Sequence, residues 1–190
     1  VNRRALGENH SFVAGTMKNI GMVLAERGEY DEAMEQFESA KKAYITDNDG
    51  DTVSRDAASA ISCMGNVKNR IGELDGALKL YMEALNIYKT IQDKTVSSES
   101  DANSTRDITS TLKVIGMVHA KKGDLDTAME FFTEAMTLLR SSGVDKTSTG
   151  GETTASVLTR MASIHAKKSD LDKAMEHYRE AYDLTVQNRG

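Results

Sequence analysis

The chain has 190 residues, 24 of them Lys or Arg and 29 Asp or Glu, giving a formal net charge of -5; an acidic balance of this kind does not suggest a nucleic-acid partner. Apolar residues make up 39% and charged residues 28%, an ordinary balance for a soluble chain, and no apolar run approaches the ~18 residues of a membrane span. The lone Cys63 excludes an internal disulfide and most zinc frameworks, and points to a reducing, cytoplasmic compartment.

In chain order, the start at Val1 fits an excised fragment or a processed form such as an organelle protein, and residues 1–9 read as the end of a preceding repeat. A spaced pattern then returns four times. The first copy, about 11–46, holds Met17, Ile20-Gly21 and Leu24, then Gly28-x-Tyr30, then Ala33, Phe37 and Ala40. The second, about 55–92, repeats it with Ile61, Met64-Gly65 and Lys68, Gly72-x-Leu74, and Ala77, Tyr81 and Ala84. The third, about 105–141, has Leu112, Ile115-Gly116 and His119, Gly123-x-Leu125, and Ala128, Phe132 and Ala135. The fourth, about 152–187, is looser: Leu158, Met161-Ala162 and His165, Ser169-x-Leu171, and Ala174, Tyr178 and Ala181. A unit of this size cannot bury its apolar face alone, so copies stack and share a core. The sequence therefore reads as one array over 1–190.

Each unit reads as helix, tight turn, helix, because apolar residues fall at three- and four-residue steps on both sides of the turn. Gly28, Gly72 and Gly123 stand where the first helix must stop in a left-handed conformation, and the acidic residues Glu29, Glu73, Asp124 and Asp170 suit the start of the next. Gly21, Gly65, Gly116 and Ala162 are expected to face Ala33, Ala77, Ala128 and Ala174, small against small, at a close helix crossing. The stretches 95–110 and 141–156 are rich in Ser, Thr, Asp and Gly. They suit phosphorylation that recharges a groove edge or, more plainly, capping, with Ser104-x-x-Asp107 as a capping box.

The pattern resembles the tetratricopeptide repeat, over nearly the whole chain from Val13 to Val186. Its units are longer than the usual ~34 residues and lack the usual terminal Pro, and with the lead-in Leu6 to Ala14, where His10-Ser11 stands for His-Pro, they look like the subclass of kinesin light chains. The resemblance implies an all-α fold, an α-α superhelix (solenoid) of four helix-turn-helix repeats whose first helices line a concave surface for peptides or partner segments. Carried over by position, that surface bears Lys18, Asn19, Met22, Asn66, Asn69, Arg70, Lys113, Met117, Lys121, Arg160 and Lys167, with Glu26 as the only carboxylate beside them. A neutral-to-basic groove favours an acidic or carboxylate-bearing segment. For Lys121, Lys122, Lys167 and Lys168 a position in the last helical turn is explanation enough; Lys18, Lys113, Asn66 and Asn69 lie mid-helix, where function and solvated surface compete. Lys18, Asn66 and Lys113 match three places of a clamp for C-terminal carboxylates seen in chaperone-binding members, but Met22 and Met117 leave it incomplete.

No residue set supports catalysis, a metal or a cofactor: phosphate loop, nucleophile elbow and paired carboxylates are all missing. His119 and His165 hold the slot of a packing Tyr, Cys63 lacks an acid-base partner, and only Met22 and Met117 of the ten Met face the groove. The function that follows is a non-catalytic protein-binding scaffold. Its rivals are a structural or assembly subunit and the regulatory domain of an enzyme lying outside this chain. The last helix, ending Ala181-Tyr182-Asp183-Leu184-Thr185-Val186, is expected to leave an apolar flank bare and so to self-associate or dock in a complex.

Overall fold

Apolar residues at helical spacing wind the chain into helices, and a single turn geometry folds them into pairs. The computed structural model describes residues 11–47, 53–94, 98–143 and 148–187. Among these the helices are α1 (Ser11–Arg27), α2 (Tyr30–Asp47), α3 (Arg55–Arg70), α4 (Leu74–Lys94), α5 (Ser98–Lys122), α6 (Leu125–Ser142), α7 (Ser148–Lys167) and α8 (Leu171–Gln187), with no strand among the described residues. The expected all-α fold of four helix-turn-helix pairs is what these residues form. The segment 1–9, read as the end of a preceding helix, lies outside the described residues.

Two compact units divide the chain, Val1–Lys94 and Thr95–Gly190. In the first, α1 pairs with α2, α3 pairs with α4, and α2 packs on α3; in the second, α5 pairs with α6, α7 pairs with α8, and α6 packs on α7. The first unit's core lies between its pairs: Ala14, Ala40, Ala43, Tyr44, Ala57 and Ala60 form one cluster, and Ala25, Ala33, Phe37, Met64 and Val67 another. Met64 and Val67 thus cover the ring that α2 presents.

The turns close alike. Gly28, Gly72 and Gly123 take φ of 85, 88 and 94°, and Ser169 occupies the same slot at 63°. The N–H groups of Glu29, Glu73, Asp124 and Asp170 each reach back 2.9 Å to the carbonyls of Leu24, Lys68, His119 and His165, while their own carbonyls accept from Ala33, Ala77, Ala128 and Ala174. One residue therefore ends the first helix and begins the second. The acidic side chains have a more varied role than capping. Asp170 does accept from the Lys173 amide at 3.4 Å, but Asp124 makes no side-chain cap bond and lies instead 3.4 Å from His119 Nδ1, and Glu73 binds Lys68 Nζ at 2.6 Å.

Two further expectations need correction. The small residue of the first helix faces a ring rather than an Ala. A Cβ added at Gly21, Gly65 or Gly116 would stand 2.8, 2.7 and 2.8 Å from Phe37, Tyr81 and Phe132, with ring atoms as its nearest neighbours. Glycine here makes room for the aromatic of the second helix, whose side chain leans back toward its own N-terminus. The Ser104-x-x-Asp107 capping box also fails, because α5 begins at Ser98 and Ser104 and Thr105 are buried within it. Hydroxyls within this helix are satisfied by carbonyls of the preceding turn: Thr109 Oγ1 donates to the Thr105 carbonyl at 2.8 Å and Thr111 Oγ1 to that of Asp107 at 2.7 Å. The cap the sequence did not reveal is Ser54, whose Oγ accepts from the Ala57 amide at 3.4 Å.

Candidate peptide-binding surface

Each unit sets two first helices side by side, α1 with α3 and α5 with α7, and each couple encloses a pocket. The first, about 480 Å³, is lined from α1 by Met22, Val23, Ala25, Glu26 and Arg27, from α3 by Cys63, Asn66, Val67 and Arg70, and by the Phe37 ring of α2. Its one inter-helix clamp consumes its charge: Arg70 Nη1 donates to the Ala25 carbonyl at 2.8 Å and Nη2 to Glu26 Oε1 at 2.7 Å. Apart from Arg27 and Asn66 the remaining lining is apolar, with Met22 and Val23 exposed.

The second pocket, about 280 Å³, is lined by Met117, Ala120 and Lys121 of α5, Phe132 of α6, and Arg160, Ser163, Ile164 and Lys167 of α7. Counted from the glycine of each pair, these are the registers of the first pocket. Met117 stands for Met22, Phe132 for Phe37 and Ile164 for Val67. The charges, however, differ: Lys121 replaces Glu26 and Arg160 replaces Cys63, while Lys167 keeps the cation of Arg70. Three cations face this pocket, and none of its lining residues is acidic. Half-buried Lys113 lies on the same helix, its ammonium held below the usual lysine range by burial and by the nearby Arg160 guanidinium.

The remaining expected groove residues are distributed less simply. Lys18 Nζ binds Ser59 Oγ at 3.2 Å and sits 6.0 Å above the Tyr44 ring, so it bridges α1 and α3 outside the pocket. Asn66 accepts from Tyr81 Oη at 2.6 Å; burial pushes that phenol up to about 12, with Asn69 pulling the other way. Asn69 and Asn19 do not line either pocket. Of the four last-turn lysines, Lys122 approaches Asp124 at 4.0 Å and Lys168 pairs with Asp126, whereas Lys121 and Lys167 line the pocket. Phe37 and Phe132 were not on the expected surface. Their signal was present in the sequence, since each stands at the ring slot opposite a glycine and so shows its face between two first helices.

The histidines pack as their slot implies. His119 stacks on Phe131 with centroids 5.4 Å apart, and His165 meets His177 at 5.4 Å. Burial, His177 and neighbouring lysines hold His165 below its ordinary value, against the pull of Asp170. Among the described residues no group of three or more His, Cys, Asp or Glu could hold a metal ion, and no helix is long and apolar enough to cross a membrane. Burial raises the Cys63 thiol, opposed by Lys18, the direction of an inert side chain.

Profiles of the tetratricopeptide repeat match residues 13–45 and 57–91 and, in a second variant, residues 114–138 and 155–185, one match to each helix pair. The chain belongs to the tetratricopeptide repeat family. Solved structures share the fold of these repeats at low identity. BtubC (BKLC) from P. vanneervenii is 15% identical with a TM-score of 0.77, over 98% of this chain and 69% of its own. MamA is 16% identical with a TM-score of 0.63, over 98% of this chain and 84% of its own. The Rap conjugation gene regulator of plasmid pLS20, solved in complex with the Phr* peptide, is 19% identical with a TM-score of 0.65, over 88% of this chain but only 41% of its own. No relative among the curated proteins matches.

Proposed function

We propose that this tetratricopeptide repeat chain is a non-catalytic scaffold that holds an acidic protein segment in the groove between α5 and α7. The observation that carries the reading is the difference in charge between two equivalent pockets. One closes its own Arg70–Glu26 pair, whereas the other gathers Lys121, Arg160 and Lys167 around an apolar floor in a chain of net charge -5. Carboxylates of a bound segment would meet the cations while an apolar side chain sits between Met117 and Phe132. The α1–α3 pocket, its charge already neutralised, suits an apolar side chain alone. The peptide held by the Rap neighbour is consistent with this use of the fold.

Fluorescence anisotropy with a labelled acidic peptide tests it. Arg160→Glu with Lys167→Glu should weaken binding about tenfold or more and flatten its salt dependence, while Lys18→Glu changes affinity little. Equal loss from Lys18→Glu would move the acidic site to the first unit, and indifference to the α7 pair would refute the groove.

A further inference from the structure

We infer that the chain associates head to tail, the exposed face of α8 in one copy docking on α1 of a second. On α8, Met175, Tyr178 and Tyr182 lie on one face and are 53%, 42% and 69% exposed. Of the apolar flank expected over Ala181 to Val186, Tyr182 and Val186 are 69% and 52% exposed, whereas Ala181 is buried and Leu184 half-buried. Tyr178 holds the ring slot of its pair, yet Phe37 and Phe132 in that slot are 1% exposed. What covers Phe37 is the face of the next first helix, Met64 and Val67, with Met34 packed on the same cluster; beside Phe132 lies Ile164.

A matching cover lies exposed on α1 among the described residues. Ile20 and Val23 stand in the registers of Met64 and Val67, one residue before and two after the glycine, and are 45% and 61% exposed. Charge agrees with the match. Within the second unit Lys168 at the end of α7 pairs with Asp126 at the start of α6. In the same registers α8 carries Asp172 and α1 carries Arg27, which among the described residues pairs with Glu29 of its own turn at 2.6 Å. An α8 face meeting α1 of another copy repeats the packing that already joins pairs inside each unit. The contact is heterologous, so each copy keeps one face of either kind and assembly does not stop at a dimer.

Light scattering over a concentration series of the chain should show mass rising past the dimer. Val23→Lys and Tyr182→Lys, both at exposed positions, should each raise the association midpoint about tenfold or more with the circular dichroism of the helices unchanged. Their equimolar mixture should form a one-to-one complex and stop, because each variant retains the face the other has lost. A wild-type chain that stays monomeric would overturn the inference and assign these faces to another occupant. Loss of association in Tyr182→Lys but not in Val23→Lys would overturn it in favour of α8 against α8.

Discussion

Gly65 shows how one position sets a helix crossing. The absent Cβ would lie 2.7 Å from the Tyr81 ring, so Gly65→Leu should destabilise by about 2 kcal/mol or more through overpacking. Urea denaturation measures it, and an unchanged midpoint would mean the ring has room to withdraw. Ser169 offers the opposite case. A non-glycine residue at φ 63° costs roughly 1–2 kcal/mol, and the extra freedom of glycine in the unfolded chain takes back about 0.4–1 kcal/mol. Ser169→Gly should therefore stabilise the fourth pair by up to about 1.6 kcal/mol, read as a higher melting midpoint. The small residues and the turn glycines were legible from spacing alone. The partner of the small residue was not, because spacing locates a side chain on a helix face without saying how far it leans along the axis.

At the scale of the element, α7 and α8 carry a pH response. His165 titrates below 6.5, chiefly because it is buried. The unfolded chain therefore binds its proton first. The stability tied to neutral His165 is fully present above about pH 6.5 and declines as pH falls through the lowered value of the folded state. Melting scans between pH 8 and 5 should show a fall that His165→Gln reduces; equal slopes in both proteins would assign the acid sensitivity elsewhere. Helix α5 marks the limit of sequence reading for elements. Its first turns are rich in Ser, Asp, Asn and Thr, a composition of loops and caps, yet they are helical, with Ser104 and Thr105 buried against the unit. Burial of Ser104, Thr105, Thr109 and Thr154 also removes these hydroxyls from any phosphorylation of the stretches 95–110 and 141–156.

At the scale of the molecule, each unit encloses its own inter-pair packing. Residues 1–94 expressed alone should retain a cooperative helical melt; a featureless melt would show that the first unit depends on the rest of the chain. The repeat, its copy number and its family were legible in the sequence because the same apolar registers recur. The division of charge between the two pockets was only half legible: the cations could be counted, but the pairing of Arg70 with Glu26 depends on a contact between residues far apart in the chain.

That pairing also sets how the molecule comes apart. Arg70 grips the Ala25 carbonyl at the close of α1 from the end of α3, so the last turn of α1 cannot fray without releasing a neighbour. Lys167, at the corresponding point of α7, makes no such bond to α5 among the described residues. Fraying of α1 is thereby coupled to the end of α3, a link the last two pairs lack at that point, where Lys168 ties the end of α7 to Asp126 of α6 instead. Native-state amide exchange should show the end of α1 sharing the protection of α3, and the end of α5 exchanging earlier than α7.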